Sequence, residues 1–320
     1  DVGLIVDANY QSLLDHLGSG KDWDLSRKHG GLRILPPFGY SAGKREGAYR
    51  GRMDALAGVR SYLQNIRQDY VVLAGGDLAV NLPLNDIFEA HMRNDADITA
   101  VCTSRPLGSP KNCDYFTIGA GGRITDVSVH PPIAQGCESL EVYVLSKELL
   151  LSLVDHCAAH NIPSFSTGVL QGMVGQLKIC PYVFDGYAAR LQSVAGYFAR
   201  SMDLLDPAVR ADLFTPERPV RTKDRSAPST YYGPEAKSIN SLVADGCNIE
   251  GVVENSILFR GVRVEKGAKV SGCVLMQGTT IQAGAVLKYA ITDKNVRVNP
   301  GRMLMGHNTY PLSIAKNEIV

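Results

Sequence analysis

An α/β domain followed by a parallel β-helix is the fold class this sequence predicts, and two periodicities predict it. From residue 2 to about residue 205, short apolar runs alternate with amphipathic stretches of helical period, the pattern of a mixed, mostly parallel sheet with helices packed on it. From residue 236 onward, aliphatic residues and glycines recur at near-hexad spacing with a repeat of 17 residues. The 320 residues, 45% of them hydrophobic, suffice for about two substantial cores.

In chain order, strands are expected at Val2 to Val6, Val71 to Leu73, Ile98 to Cys102, Arg123 to Val129, Glu141 to Leu145 and Lys178 to Val183. Helices are expected at Asp54 to Ile66, Asn85 to Met92, Lys147 to His156 and Val194 to Leu205, where apolar residues fall three and four apart. The glycine cluster Gly119, Gly121 and Gly122 lies between strand-like runs and is expected to be a hairpin turn. Residues 206–235, from Asp206-Pro207 to Gly233-Pro234, are rich in proline and charge, show no period, and are expected to form a linker arm. The domain boundaries expected are therefore 1–205, 206–235 and 236–320.

Four triplets share the template aliphatic-x-x-Gly-x-x-aliphatic: Val243, Gly246, Ile249; Val264, Gly267, Val270; Ile281, Gly284, Leu287; and Val298, Gly301, Leu304. The last three are offset by 17 residues, as are NSIL from Asn255, GCVL from Gly272 and YAIT from Tyr289. About three hexads per coil let each small apolar side chain stack on the one below, with glycine at turns whose torsions exclude a β-carbon.

The formal net charge is +1, from 33 basic and 32 acidic residues, which argues against holding nucleic acid or an anionic membrane by bulk attraction. Cysteines at 102, 113, 137, 157, 180, 247 and 273 include no C-x-x-C pair or metal-ligand spacing, and suit reduced thiols in a cytoplasm. No apolar run approaches the roughly 18 residues of a membrane span, and no signal-peptide order opens the chain.

Particular residues narrow this reading. QSLLDHL from Gln11, GSGKDWDL from Gly18, YRGRMDAL from Tyr49, the Tyr143-Val144-Leu145 strand, and Gly186-Tyr187 leading to SMDLL from Ser201 resemble the glucose-1-phosphate adenylyltransferase (ADP-glucose pyrophosphorylase) family along nearly the whole chain. CTSRP from Cys102, VYVLSKELL from Val142 and NSILFRGV from Asn255 resemble its non-catalytic, GlgD-type regulatory subunit. The resemblance implies a nucleotidyltransferase-like, Rossmann-like α/β domain and a left-handed β-helix of hexapeptide-like repeats. It also implies, for active members, the joining of ATP to glucose 1-phosphate with Mg²⁺ on the phosphates. That chemistry needs a glycine-rich phosphate loop, carboxylates for the metal and cations for the leaving group.

Compared with the family's motifs, the sequence departs at each part. The G-G-G-x-G-T-R-L phosphate loop has no counterpart, the 320 residues starting about ten residues ahead of the Gln11 signature. The expectation is a domain lacking its N-terminal phosphate loop, by deletion or because the loop lies upstream. Where active relatives have G-T-A-D-A, this chain has Gly51-Arg52-Met53-Asp54-Ala55, with bulk in place of nucleotide space; Asp54 can equally cap the helix. In VVLAGGDLAVN, residues 71–81, Asp77 matches the first metal aspartate. The second belongs to G-Y-W-R-D-V-G, and here GYAARLQ from Gly186 puts Arg190 in its place and Ala188 in the tryptophan's. No carboxylate lies between Asp185 and Asp203 to rescue it by a register shift. His130 stands for the lysine that meets the sugar phosphate, Ser139 and Phe165 match sugar contacts, and Ser164 replaces an aspartate.

The resemblance therefore implies vestigial sites, no catalytic residue, no metal or other cofactor in this chain, and regulation of a catalytic glucose-1-phosphate adenylyltransferase subunit in a heterotetramer. A homo-oligomer is the alternative assembly, and an active adenylyltransferase with its loop upstream is the alternative function. The basic residues Lys44, Arg45, Arg50, Arg52, Arg260 and Arg263 are candidate contacts for a sugar-phosphate effector, or solvated loop cations. A third reading, a β-helix acyltransferase, rests on His307 alone.

Overall fold

A computed structural model describes residues 1–37, 49–105, 107, 112–223 and 226–320. Contacts divide the chain into two compact units. One comprises Asp1–Gly76, Leu82–Asp185 and Val220–Lys223, and the other Asp77–Asn81, Gly186–Pro219 and Asp224–Val320.

In the first unit, β1 (Val2–Ile5) pairs in parallel with β2 (Leu32–Leu35), with α1 (Gln11–Leu17) between them in sequence. Helices α2 (Arg52–Gly58) and α3 (Arg60–Asn65) share the stretch expected as one helix; the chain turns at Val59. β3 (Tyr70–Leu73) is the strand expected there. In the other unit, β4 (Leu78–Val80) follows Asp77 directly. Back in the first, α4 (Leu84–Arg93) leads to β5 (Ile98–Thr103), all six residues of which are buried. The hairpin of β6 (Asp114–Ile118) and β7 (Ile124–Val129) turns where the glycines predict it, with the Gly119 N–H donating to Arg123 O at 2.9 Å.

Long β8 (Cys137–Ser146) organises the sheet. It runs antiparallel to β5 along one edge, and to β6 and then β3 along the other. β9 (Ile179–Val183) adds to β5 in parallel. Four of the six strands thus run one way, while β7 and β8 run against them. Packed on the sheet, α5 (Lys147–Ala159) starts at Ser146, whose hydroxyl accepts from the Leu149 N–H, and buries Leu150, Leu153, Val154 and Cys157 at helical spacing.

The second unit also takes in residues 186–205, which the periodicity assigned to the α/β domain. The reason is local pairing: β10 (Ala188–Arg190) pairs antiparallel with β4. In addition, α6 (Val194–Asp203) buries Phe198 against Val274 and Ile291 of the coils. The segment expected to be an arm is not wholly irregular. Asp206 caps α7 (Pro207–Leu213), proline at its first position, a helix too short to show a period.

The coils build three five-stranded parallel sheets, the parallel β-helix expected from the repeat and left-handed as the family resemblance implies. Val252 pairs with Lys269, Lys269 with Val286, and Val286 with Met303, each 17 residues on. Val253, Val270 and Leu287 stack inward at the middle of these strands. The last coil is longer, Ile291 pairing with Ser313, and the extra residues form the exposed loop that carries His307.

Candidate functional site

In the second unit the β4–β10 register sets Arg190 opposite Leu78, next to Asp77. Two residues taken from motifs far apart in sequence therefore meet. Arg190 Nη1 lies 3.5 Å from Asp77 Oδ2, and the Arg190 side chain is 3% exposed against 35% for Asp77. The same carboxylate oxygen accepts a hydrogen bond from Gln192 Nε2 at 3.1 Å, and the Asp77 carbonyl accepts from the Leu191 N–H. Asp77 is thus neutralised from its buried side by a fixed cation. A divalent ion wants oxygen ligands and repels a guanidinium a few ångströms away at any interior dielectric, so the residues at this place do not fit Mg²⁺. Among the described residues, no group of three or more His, Cys, Asp or Glu side chains could hold a metal ion.

In the first unit, Gly51, Arg52, His130, Ser139 and Phe165 converge on one locus. The start of α2 docks on the Pro163 carbonyl, which accepts from the Met53 N–H at 2.9 Å; a β-carbon on Gly51 would sit 2.5 Å from that oxygen. Beside it, the Arg52 guanidinium lies 5.6 Å from the centre of the Tyr143 ring and pairs with Glu141 at 2.8 Å. Tyr143 is fully buried, 4.9 Å from Phe165, and its hydroxyl meets Ser139 Oγ at 3.2 Å. Burial, above all, pushes the Tyr143 phenol well above its usual pKa. Ser139 and Phe165 are themselves buried, so neither presents a surface to solvent in this conformation. At the far side, exposed His130 adopts a left-handed backbone (φ 47°), its Nε2 3.8 Å from Asp114 Oδ1. Asp114 also accepts from Ser166, the neighbour of Phe165.

The remaining candidates scatter. Asp54 accepts from the Arg50 backbone N–H and guanidinium, and Arg50 reaches Asn161 as well, at 2.7 Å. The Arg50 hydrogen bond is the main cause holding the Asp54 carboxyl below the usual carboxylate range. Arg50 is thus committed to Asp54 and Asn161 rather than presented to an effector. Arg263 is exposed on a coil strand, with Arg260 half-buried at the preceding turn. Lys44 and Arg45 lie outside the described residues. His307 hydrogen-bonds Thr309 of its own loop.

The family model for the GlmU-like, C-terminal hexapeptide matches residues 229–310. Over 318 residues the chain is 32% identical to the glycogen biosynthesis protein GlgD of Bacillus subtilis (strain 168), covering 98% of this chain and 81% of that protein. The chain belongs to the family of GlgD and glucose-1-phosphate adenylyltransferase. To GlgD of Geobacillus stearothermophilus it is 35% identical over 84% of this chain and 68% of that one. To the glucose-1-phosphate adenylyltransferase of Thermotoga neapolitana it is 30% identical over 84% of this chain and 64% of that enzyme.

For this member of the GlgD and adenylyltransferase family, motif comparison overlooked Glu141, Gln192 and Asp114. Glu141 sits two residues beyond a matched serine, but nothing in a half-buried strand pattern marks its left-handed backbone, φ 56°. Asp114 opens β6, a strand that the apolar pattern did not reveal. No helix among the described residues is long and apolar enough to cross a membrane.

Proposed function

We propose that this chain is a regulatory, non-catalytic subunit of ADP-glucose pyrophosphorylase in cytoplasmic glycogen biosynthesis, one that assembles with a catalytic homologue and activates it. The Asp77–Arg190 contact carries the reading: where adenylyl transfer needs a second carboxylate for metal, a buried guanidinium occupies the first one. Further support comes from the burial of Ser139 and Phe165, which closes the matched sugar contacts to solvent in the resting conformation. The names of the similar proteins, among them glycogen biosynthesis protein GlgD, supply the pathway. Regulation then acts by coupling free energy between subunits, the chain biasing the conformations of its partner.

The experiment is pyrophosphate release from ATP and glucose 1-phosphate, by the chain alone and mixed with a catalytic homologue from the same cell. Alone it releases none above background; in the mixture the homologue's rate or effector response changes. Turnover by the chain alone would instead support an active adenylyltransferase, and an unchanged mixture would remove the regulatory role.

A further inference from the structure

Glu141 breaks a local rule. It holds φ 56°, a region in which a side chain crowds the following carbonyl and which glycine occupies freely, at the irregularity where the β5–β8 register shifts between Val101 and Cys102. Its carboxylate nonetheless points across the locus to Arg52, 2.8 Å away, and both side chains are only about a quarter exposed (24% for Arg52 and 28% for Glu141). Arg52 in turn lies over the Tyr143 ring, whose hydroxyl is 3.2 Å from Ser139 Oγ, and the same Oγ accepts from the Glu141 N–H at 3.0 Å. A residue ill-suited to the backbone is thus placed where it delivers an anion to the guanidinium that lies over the Tyr143 ring.

We propose that Arg52 is an oxyanion-binding residue whose resting occupant is the chain's own Glu141, so that the pair forms a latch which a small sugar phosphomonoester must displace to enter over Ser139, Tyr143 and Phe165. A phosphate dianion and a carboxylate compete for the same donors of a guanidinium, and the tethered carboxylate has the advantage of high effective concentration. Removing Glu141 therefore exposes a cationic site rather than merely deleting a contact. The choice of a sugar phosphate as ligand rests on the family reading, but the latch itself rests on the geometry of Arg52 and Glu141.

The test uses the full chain and isothermal titration with glucose 1-phosphate, with glucose and inorganic phosphate in parallel to separate sugar from anion recognition. Glu141→Asn removes the carboxylate with a residue that tolerates φ > 0; Glu141→Gly is the second variant in case the first fails to fold. The latch predicts that either variant binds glucose 1-phosphate at least tenfold more tightly than the unaltered chain, that phosphate shows part of this gain and glucose none, and that adding Arg52→Ala abolishes it. Binding no tighter than in the unaltered chain, or a gain that survives Arg52→Ala, overturns the proposal. Because the readout needs neither partner nor turnover, it can fail while the regulatory reading stands, and the reverse.

Discussion

Arg190 keeps a charge in a place that is almost closed to water, and such a charge is tolerable only with its partners in position. Asp77→Ala removes one of them and is expected to lower stability by about 1–3 kcal/mol, measured by urea unfolding. Arg190→Asp sets two carboxylates together, yet it is expected to yield no turnover above background, since Arg52 and His130 also depart from the active pattern; strong pyrophosphate release by that variant would contradict this. His91 supplies a pH signature. Its ring is buried among Tyr70, Phe88 and Thr99, with Nδ1 2.9 Å from Thr99 Oγ1, and burial, against the weaker opposing pull of Asp97, lowers its pKa. The unfolded chain binds that proton near pH 6.5 while the folded chain resists it. Stability is thus full above about pH 6.5 and declines as pH falls through the depressed folded value; unfolding curves at stepped pH should show this, and His91→Gln should flatten it. At this scale the sequence was legible where a motif has fixed spacing, as for Asp77 and Arg190. It was silent on Glu141, whose backbone is set by how β5 and β8 pair.

The repeats were the most legible elements, because a 17-residue period admits few other structures and each coil states its own inward residue. Leu287→Ala, in the middle of the stack, should cost about 2–5 kcal/mol in calorimetry. Gly272→Ala tests the corner: φ is 59° and an added β-carbon would lie 2.9 Å from the Tyr289 ring, so a loss of about 1–2 kcal/mol is expected. The α/β sheet was legible in its strands but not in its pairing. An apolar run says that a strand is buried, not which way its neighbour runs, and β6, β10 and α7 are too short to show a period. The local signal at Gly119–Gly122 nevertheless fixes a turn, whereas Asp206-Pro207, expected to open an arm, starts a helix.

For the molecule as a whole, the proposed role is that of a partner, resting on the β-helix and on the guanidinium beside Asp77. Truncation near residue 235 is therefore expected to abolish co-assembly with a catalytic homologue, read by light scattering after size-exclusion chromatography; a truncated chain that still joins the mixed oligomer would move the interface to the α/β unit. The most direct measurement is a crystal structure of the full chain grown with ADP-glucose and Mg²⁺. Arg190 is expected still against Asp77, with no metal at that carboxylate. Magnesium coordinated by Asp77, with the nucleotide's phosphates beside it and Arg190 swung away, would contradict it.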